Sequence, residues 1–137
     1  KMSYLTCVVK EGMRLYSPVP EALRKLDFDI RKEKYFIPNG ATLLIPISTL
    51  HVDAESWERP HLFIPERFDS MNEKKQPRYS YLPFGAGPKS CMGGRFAMTE
   101  IRLMLSMILQ RFLVELVPNQ NVVPEMHSII LQPKYGL

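Results

Sequence analysis

The stretch Phe84-Gly85-Ala86-Gly87-Pro88-Lys89-Ser90-Cys91-Met92-Gly93-Gly94 decides the reading of this 137-residue chain. Its glycines permit tight backbone turns and close approach to a flat ligand. Cys91 falls just ahead of residues 95–112, which read as one long helix. Exposed amides and the helix dipole at such an N-terminus favour an anionic sulfur. An anionic sulfur is a soft, electron-donating metal ligand, and N–H groups of a glycine-bent loop can hydrogen-bond it and tune its donation.

Rival readings of the loop are weaker. A phosphate loop needs glycines where Pro83 and Pro88 stand, and proline lacks the amide a phosphate wants. A phosphatase-like nucleophile needs an arginine closing the loop, and Arg95 follows Cys91 too closely. Structural zinc needs about four Cys or His ligands at short spacings. Cys7, Cys91, His51, His61 and His127 show no such spacing. On spacing alone a small cysteine that merely fills space stays open. A thiolate under heme iron, where it pushes electron density toward O–O cleavage, is the sharper reading.

Upstream, residues 3–16 read as a helix with Leu5, Val9, Met13 and Tyr16 near one face. Ser17-Pro18 stops it. Within it, Glu11 and Arg14 stand at i, i+3 and can pair. Residues 21–50 read as short strands: Asp27 to Ile30 alternates, Tyr35 to Ile37 is apolar, Pro38-Asn39-Gly40 is a turn, and Thr42 to Ile47 is β-prone with Pro46 limiting it. Asp53 to Trp57 fits one helical turn. Residues 59–83 form a long meander whose aromatics argue for packing. Past the long helix, Val114 to Val117 and Ser128 to Gln132 look strand-like. The most apolar stretch, Phe96 to Leu113, is broken by Glu100, Arg102 and Arg111, so it reads as a buried helix rather than a membrane span.

The pattern Phe84-x-x-Gly87-x-x-x-Cys91-x-Gly93 resembles the heme-binding signature of the cytochrome P-450 superfamily. Glu11-x-x-Arg14 and Pro65-Glu66-Arg67-Phe68 resemble two further motifs of that family, in the family's order. The likeness covers nearly the whole chain, best over residues 2–20 and 35–112. It implies a mainly α fold with small β-sheets (α+β), and heme b (iron protoporphyrin IX) with Cys91 as axial iron ligand. It implies Glu11, Arg14 and Arg67 as a structural triad, with the bidentate arginine fork as its joint. Arg24 and Lys89 match positions that pair with the heme propionates, Lys89 without the fork that an arginine offers. Phe84, Gly85 and Gly93 match cofactor-binding loop positions. Pro18, Val19, Pro20, Ala22 and Leu23 match a substrate-bordering segment, and Ser128 and Ile129 a second one. His51 reads as a satisfied structural histidine near the heme or the triad.

The resemblance further implies a monooxygenase that inserts one atom of dioxygen into a hydrophobic substrate. Its electrons come from a flavoprotein reductase or a ferredoxin. Cationic residues near the proximal face, with Lys74, Lys75, Arg78, Lys89, Arg95 and Arg102 as candidates, are expected to meet an acidic donor. The family's distal helix with its acid–Thr pair is not found in the sequence. Residues 1–137 are therefore expected to be the C-terminal part of one P-450 domain, inactive alone, with a membrane anchor upstream and an endoplasmic reticulum location on the cytosolic face. Two alternatives remain: a truncated fragment without activity, and a heme-thiolate isomerase or dehydratase of the same fold. A net charge of +4, without a dense basic stripe, argues against nucleic acid. Two distant cysteines argue for a reducing compartment.

Overall fold

The structure, a computed structural model, describes residues 3–136. Lys1, Met2 and Leu137 lie outside the described residues. Helix α1 (Ser3–Leu15) leads into a hairpin-like region of β1 (Ala22–Lys25), β2 (Ile30–Lys32), β3 (Tyr35–Ile37) and β4 (Thr42–Ile45), then the single turn α2 (Ile47–Leu50). The meander carries 3-10 turns at Pro65–Phe68 and Glu73–Lys75. Helix α3 (Gly94–Arg111) follows the cysteine loop, and β5 (Pro124–His127) and β6 (Ile130–Pro133) close the chain. The class is α+β, mainly α with small sheets, as the sequence predicts.

Each sheet is an antiparallel pair. β1 lies on β4 with Arg24 opposite Leu43, β2 on β3 with Arg31 opposite Phe36, and β5 on β6 with Met126 opposite Leu131. Two backbone bonds gather these pieces beside α1. Leu131 N–H donates to the Pro18 carbonyl at 2.8 Å, and Ser48 N–H to that of Pro20 at 2.9 Å. The segment leaving α1 is thereby held between α2 and the last hairpin.

The packed centre is partly aromatic and partly ionic. Cys7, Trp57 and Phe68 form a buried cluster joined by Tyr81, whose ring lies 4.6 Å from that of Phe68. Beside it the fully buried side chains are Arg14, His51, Glu11 and Ser17. Burying charge costs several kcal/mol unless every donor and acceptor is matched. No buried side-chain nitrogen or oxygen among the described residues lacks a partner.

Several sequence expectations need correction. The stretch Phe96 to Leu113 is not a buried helix: Phe96, Leu103 and Met104 of α3 and Phe112 just after it are exposed, and only Gly94 of the helix is buried. The described residues supply little beyond α1 to cover that face. Tyr16 is exposed rather than on the core face of α1, where Cys7, Glu11 and Arg14 take its place. Asp27-Phe28 is a bend and Asp29 is outside the strands, where its Oδ1 takes the Asn39 N–H at 2.8 Å and competes with strand pairing. Val114 to Val117 has no partner strand among the described residues. Ser128 and Ile129 form the β5–β6 turn, with Ser128 at φ +59°, and β5 was not foreseen because it starts at a proline. Ile47 leaves the expected strand for α2, since Pro46 ends β4 and its carbonyl accepts the Leu50 N–H at 3.0 Å.

Candidate functional site

An open cavity of about 630 Å³ lies between the segment after α1, the cysteine loop and the β5–β6 turn. Cys91 lies in its wall and is exposed. Phe84, Gly85 and Lys89 line it from the loop, and Arg24 from β1. Pro18, Val19, Ala22, Leu23, Ser128 and Ile129 also line it, so the two segments expected to border a substrate share one space. Pro20 and Gly93 do not reach the lining. The cavity also holds one carboxylate, Glu21. Arg24 and Lys89 are exposed and form no ion pair among the described residues; Arg24 Nη1 donates only to its neighbour's carbonyl, that of Leu23, at 2.8 Å.

The loop holds its shape through its own backbone. Gly85 and Gly87 sit at φ +69° and +72°, where a side chain is strained. Cys91 N–H donates to the Phe84 carbonyl at 2.9 Å, closing the loop on itself. Gly93 precedes α3 with ordinary helical φ, and a Cβ there would stand 3.8 Å from Cys91 Sγ. Gly94 was not singled out in the sequence. A Cβ on it would meet the Phe84 ring at 3.1 Å, so the second glycine of the Gly93-Gly94 pair is needed for that ring to lie on the helix. The doubled glycine was the signal available.

Glu11, Arg14 and Arg67 come together. Arg14 uses all five guanidinium donors. Its Nε and Nη2 meet Glu11 Oε2 and Oε1 at 2.8 Å each, and the rest go to the carbonyls of His51 and Pro60 at 2.7 Å and Leu62 at 3.2 Å. Glu11 Oε1 also accepts the Ile64 N–H at 2.9 Å and Arg67 Nε at 3.3 Å. Burial pushes the Glu11 carboxyl upward, but the hydrogen bonds from Arg14 and the Ile64 N–H, with the charges of Arg14 and Arg67, outweigh it and hold it below the usual range. Trp57 lies beneath the Arg14 guanidinium, 5.0 Å from its centroid. The hub thus ties α1 to four backbone points between His51 and Ile64.

His51 belongs to this hub and does not line the cavity. Its Nε2 accepts the Leu82 N–H at 2.8 Å, and Nδ1 lies 3.4 Å from Ser17 Oγ. Burial lowers its pKa to about 4. Lys74, Lys75, Arg78 and Arg95 are exposed, while Arg102 is half-buried and folds back to donate to the Met98 carbonyl.

Comparison with known proteins agrees with this architecture. The cytochrome P450 family model matches residues 1–137. The chain is 38% identical over 135 residues to cytochrome P450 3A27 of Oncorhynchus mykiss, covering 98% of this chain and 26% of that protein. It is 38% identical to lithocholate 6-beta-hydroxylase of Mesocricetus auratus, over 97% of this chain and 27% of the relative. The crystal structure of the cytochrome P450DA heme domain superposes with a TM-score of 0.87 at 28% identity, over 94% of this chain and 29% of that one. The chain belongs to the cytochrome P450 family. It spans about a quarter of the length of the curated relatives it matches.

Proposed function

We propose that this chain is the C-terminal heme-binding part of one cytochrome P-450 domain, and that the parent is a monooxygenase acting on a hydrophobic substrate. The observation that carries the reading is one cavity whose wall holds a sulfur donor, two cations without an ion-pair partner among the described residues, and a run of apolar side chains. These residues fit heme b. Cys91 would supply the thiolate to the iron, Arg24 and Lys89 would meet the propionates, and Phe84 and Gly85 would line the same wall. Bound heme iron supplies dioxygen activation, and a thiolate ligand favours O–O cleavage.

The chain's own residues do the holding. Gly85 and Gly87 bend the loop so that Cys91 reaches the wall, and Glu11, Arg14 and Arg67 brace the backbone behind it. Val19, Leu23 and Ile129 give the cavity apolar sides, which favours a hydrophobic substrate. The exposed cations Lys74, Lys75, Arg78 and Arg95 suit an acidic flavoprotein reductase or ferredoxin as electron donor.

The bare apolar face of α3 supports a parent with more chain to cover it, and residues 1–137 alone lack turnover. No helix among the described residues is long and apolar enough to cross a membrane.

Heme titration followed by a CO-difference spectrum of the reduced protein tests the reading. A red-shifted Soret band that Cys91→Ala abolishes is the expected result. Equal spectra for both proteins would remove the reading, and turnover without any reductase would favour an isomerase or dehydratase.

A further inference from the structure

Leu82 is held at both of its backbone groups. Its N–H donates to His51 Nε2 at 2.8 Å, and its carbonyl accepts the Gly85 N–H at 3.1 Å. Leu82-Pro83-Phe84-Gly85 is thus a closed turn. Pro83 stands at its second position, where a fixed φ is already suited to the turn. Gly85 ends it at φ +69°. Phe84, the third residue, accepts the Cys91 N–H at 2.9 Å and lays its ring against Gly94. The placing of Cys91 follows from that of Leu82 through one stiff turn and one hydrogen bond.

His51 is itself fixed on every side. Its ring is fully buried, 5.2 Å from that of Tyr81, and its carbonyl takes Arg14 Nη1 at 2.7 Å. An Nε2 that accepts an amide carries no proton, so the proton sits on Nδ1, facing the Ser17 hydroxyl. A space-filling role needs only a ring of that size. The observed geometry needs an acceptor atom at the Nε2 position, because a buried amide left unpaired is costly.

We infer that His51 is a positioning residue for the cysteine loop: its Nε2 pins the Leu82 amide and, through the Leu82–Gly85 turn and the Phe84 carbonyl, sets where Cys91 stands in the cavity wall. This rests on the heme-thiolate reading for its functional meaning, but its geometry does not. The side-chain chemistry makes the inference specific. Glutamine reaches about as far as Nε2 and offers an oxygen to Leu82. Asparagine reaches only the Nδ1 position, so it keeps the Ser17 contact and strands the Leu82 amide. Leucine supplies neither.

The test compares His51→Gln, His51→Asn and His51→Leu in the full-length, heme-loaded protein. It reads amide hydrogen exchange at Leu82 and Cys91, and the share of reduced, CO-treated protein with the red-shifted Soret band. In the asparagine and leucine variants the Leu82 amide exchanges about tenfold faster. The Cys91 amide exchanges faster too, and the red-shifted share falls. The glutamine variant stays close to the unsubstituted protein in all three. Unchanged exchange and spectrum in His51→Asn, or damage in His51→Gln equal to that in His51→Leu, overturns the inference. If His51→Leu does not fold, the glutamine and asparagine pair decides. An unsubstituted protein without the red-shifted band removes the heme-thiolate reading, while the exchange contrast still decides whether His51 holds the loop.

Discussion

Arg14 and Glu11, one helical turn apart on α1, meet through two parallel hydrogen bonds of 2.8 Å, and both side chains are wholly out of water. On an exposed helix such a pair is worth ~0–1 kcal/mol. Here the guanidinium also takes three carbonyls from residues 51, 60 and 62, so the pair is the joint between α1 and the meander. Arg14→Ala leaves a buried carboxylate and three carbonyls without their partner, and it should cost about 3–5 kcal/mol in urea unfolding. Arg14→Lys should recover little, because an ammonium offers three donors from one point and cannot span the same acceptors. A lysine variant as stable as the parent would refute this account of the joint.

Stability should fall as the solution is acidified from near neutrality. His51 titrates at about 4 in the fold and near 6.5 when exposed, because burial disfavours its cation and the Arg14 charge adds to that. The unfolded chain therefore binds a proton first. The neutral form's contribution is whole above pH ~6.5 and is lost as pH drops toward 4, roughly 3 kcal/mol in all. Glu11, held low, adds a further loss at still lower pH as its carboxylate is protonated. Urea midpoints measured from pH 7 to 4 check this, and His51→Gln should flatten the upper part of the curve. A curve of the same slope in that variant would reassign the effect to other groups.

The cysteine loop and the Glu11–Arg14 pair are written in a short stretch and a fixed spacing, whereas the joining of Arg67 to that pair, 56 positions from Glu11, came only through the family resemblance. Gly85 and Gly87 announce positive φ, and the i, i+3 step of Glu11 and Arg14 announces a shared helix face. What the sequence hides is long-range. Nothing near His51 says that its ring faces Leu82, thirty-one positions away, or that Trp57 slides under Arg14. The burial of residues 96–113 was misjudged for the opposite reason. An apolar stripe reports that a face wants cover, and it does not report where the cover lies. One strand assignment failed where a side chain competed with the ladder, as Asp29 does at Asn39. Others failed at Pro46, which ends β4, and at Ser128-Ile129, where the chain turns.

Gly94 opens α3 as its first residue, and a side chain there should be costly. Alanine gains up to ~1 kcal/mol over glycine in a helix interior. At this position the new Cβ sits 3.1 Å from the Phe84 ring, and overpacking of that kind costs roughly 1–3 kcal/mol. Gly94→Ala should therefore lower the urea midpoint and speed exchange of the Cys91 amide, whose acceptor is the Phe84 carbonyl. Gly12, inside α1 with no atom within 4 Å of the same built Cβ, is the control, and Gly12→Ala should raise the midpoint. Equal gains at both sites would mean that the ring moves aside freely.

Lys89 and Arg24 face the same cavity and lack carboxylate partners among the described residues, so their charges are free to meet an anionic ligand there. Lysine presents a single point charge, whereas arginine grips a carboxylate with two parallel bonds. Lys89→Arg should therefore slow loss of heme to a competing acceptor protein by severalfold, and Lys89→Glu should speed it. Arg24→Leu should speed it as well. If each cation holds a different propionate, as the proposed heme site has it, the two losses should add in the double variant, because groups without shared partners combine independently. If either single loss already equals the double, both cations serve one carboxylate, and Glu21, the other charge in the cavity wall, becomes the residue to examine for repelling the second.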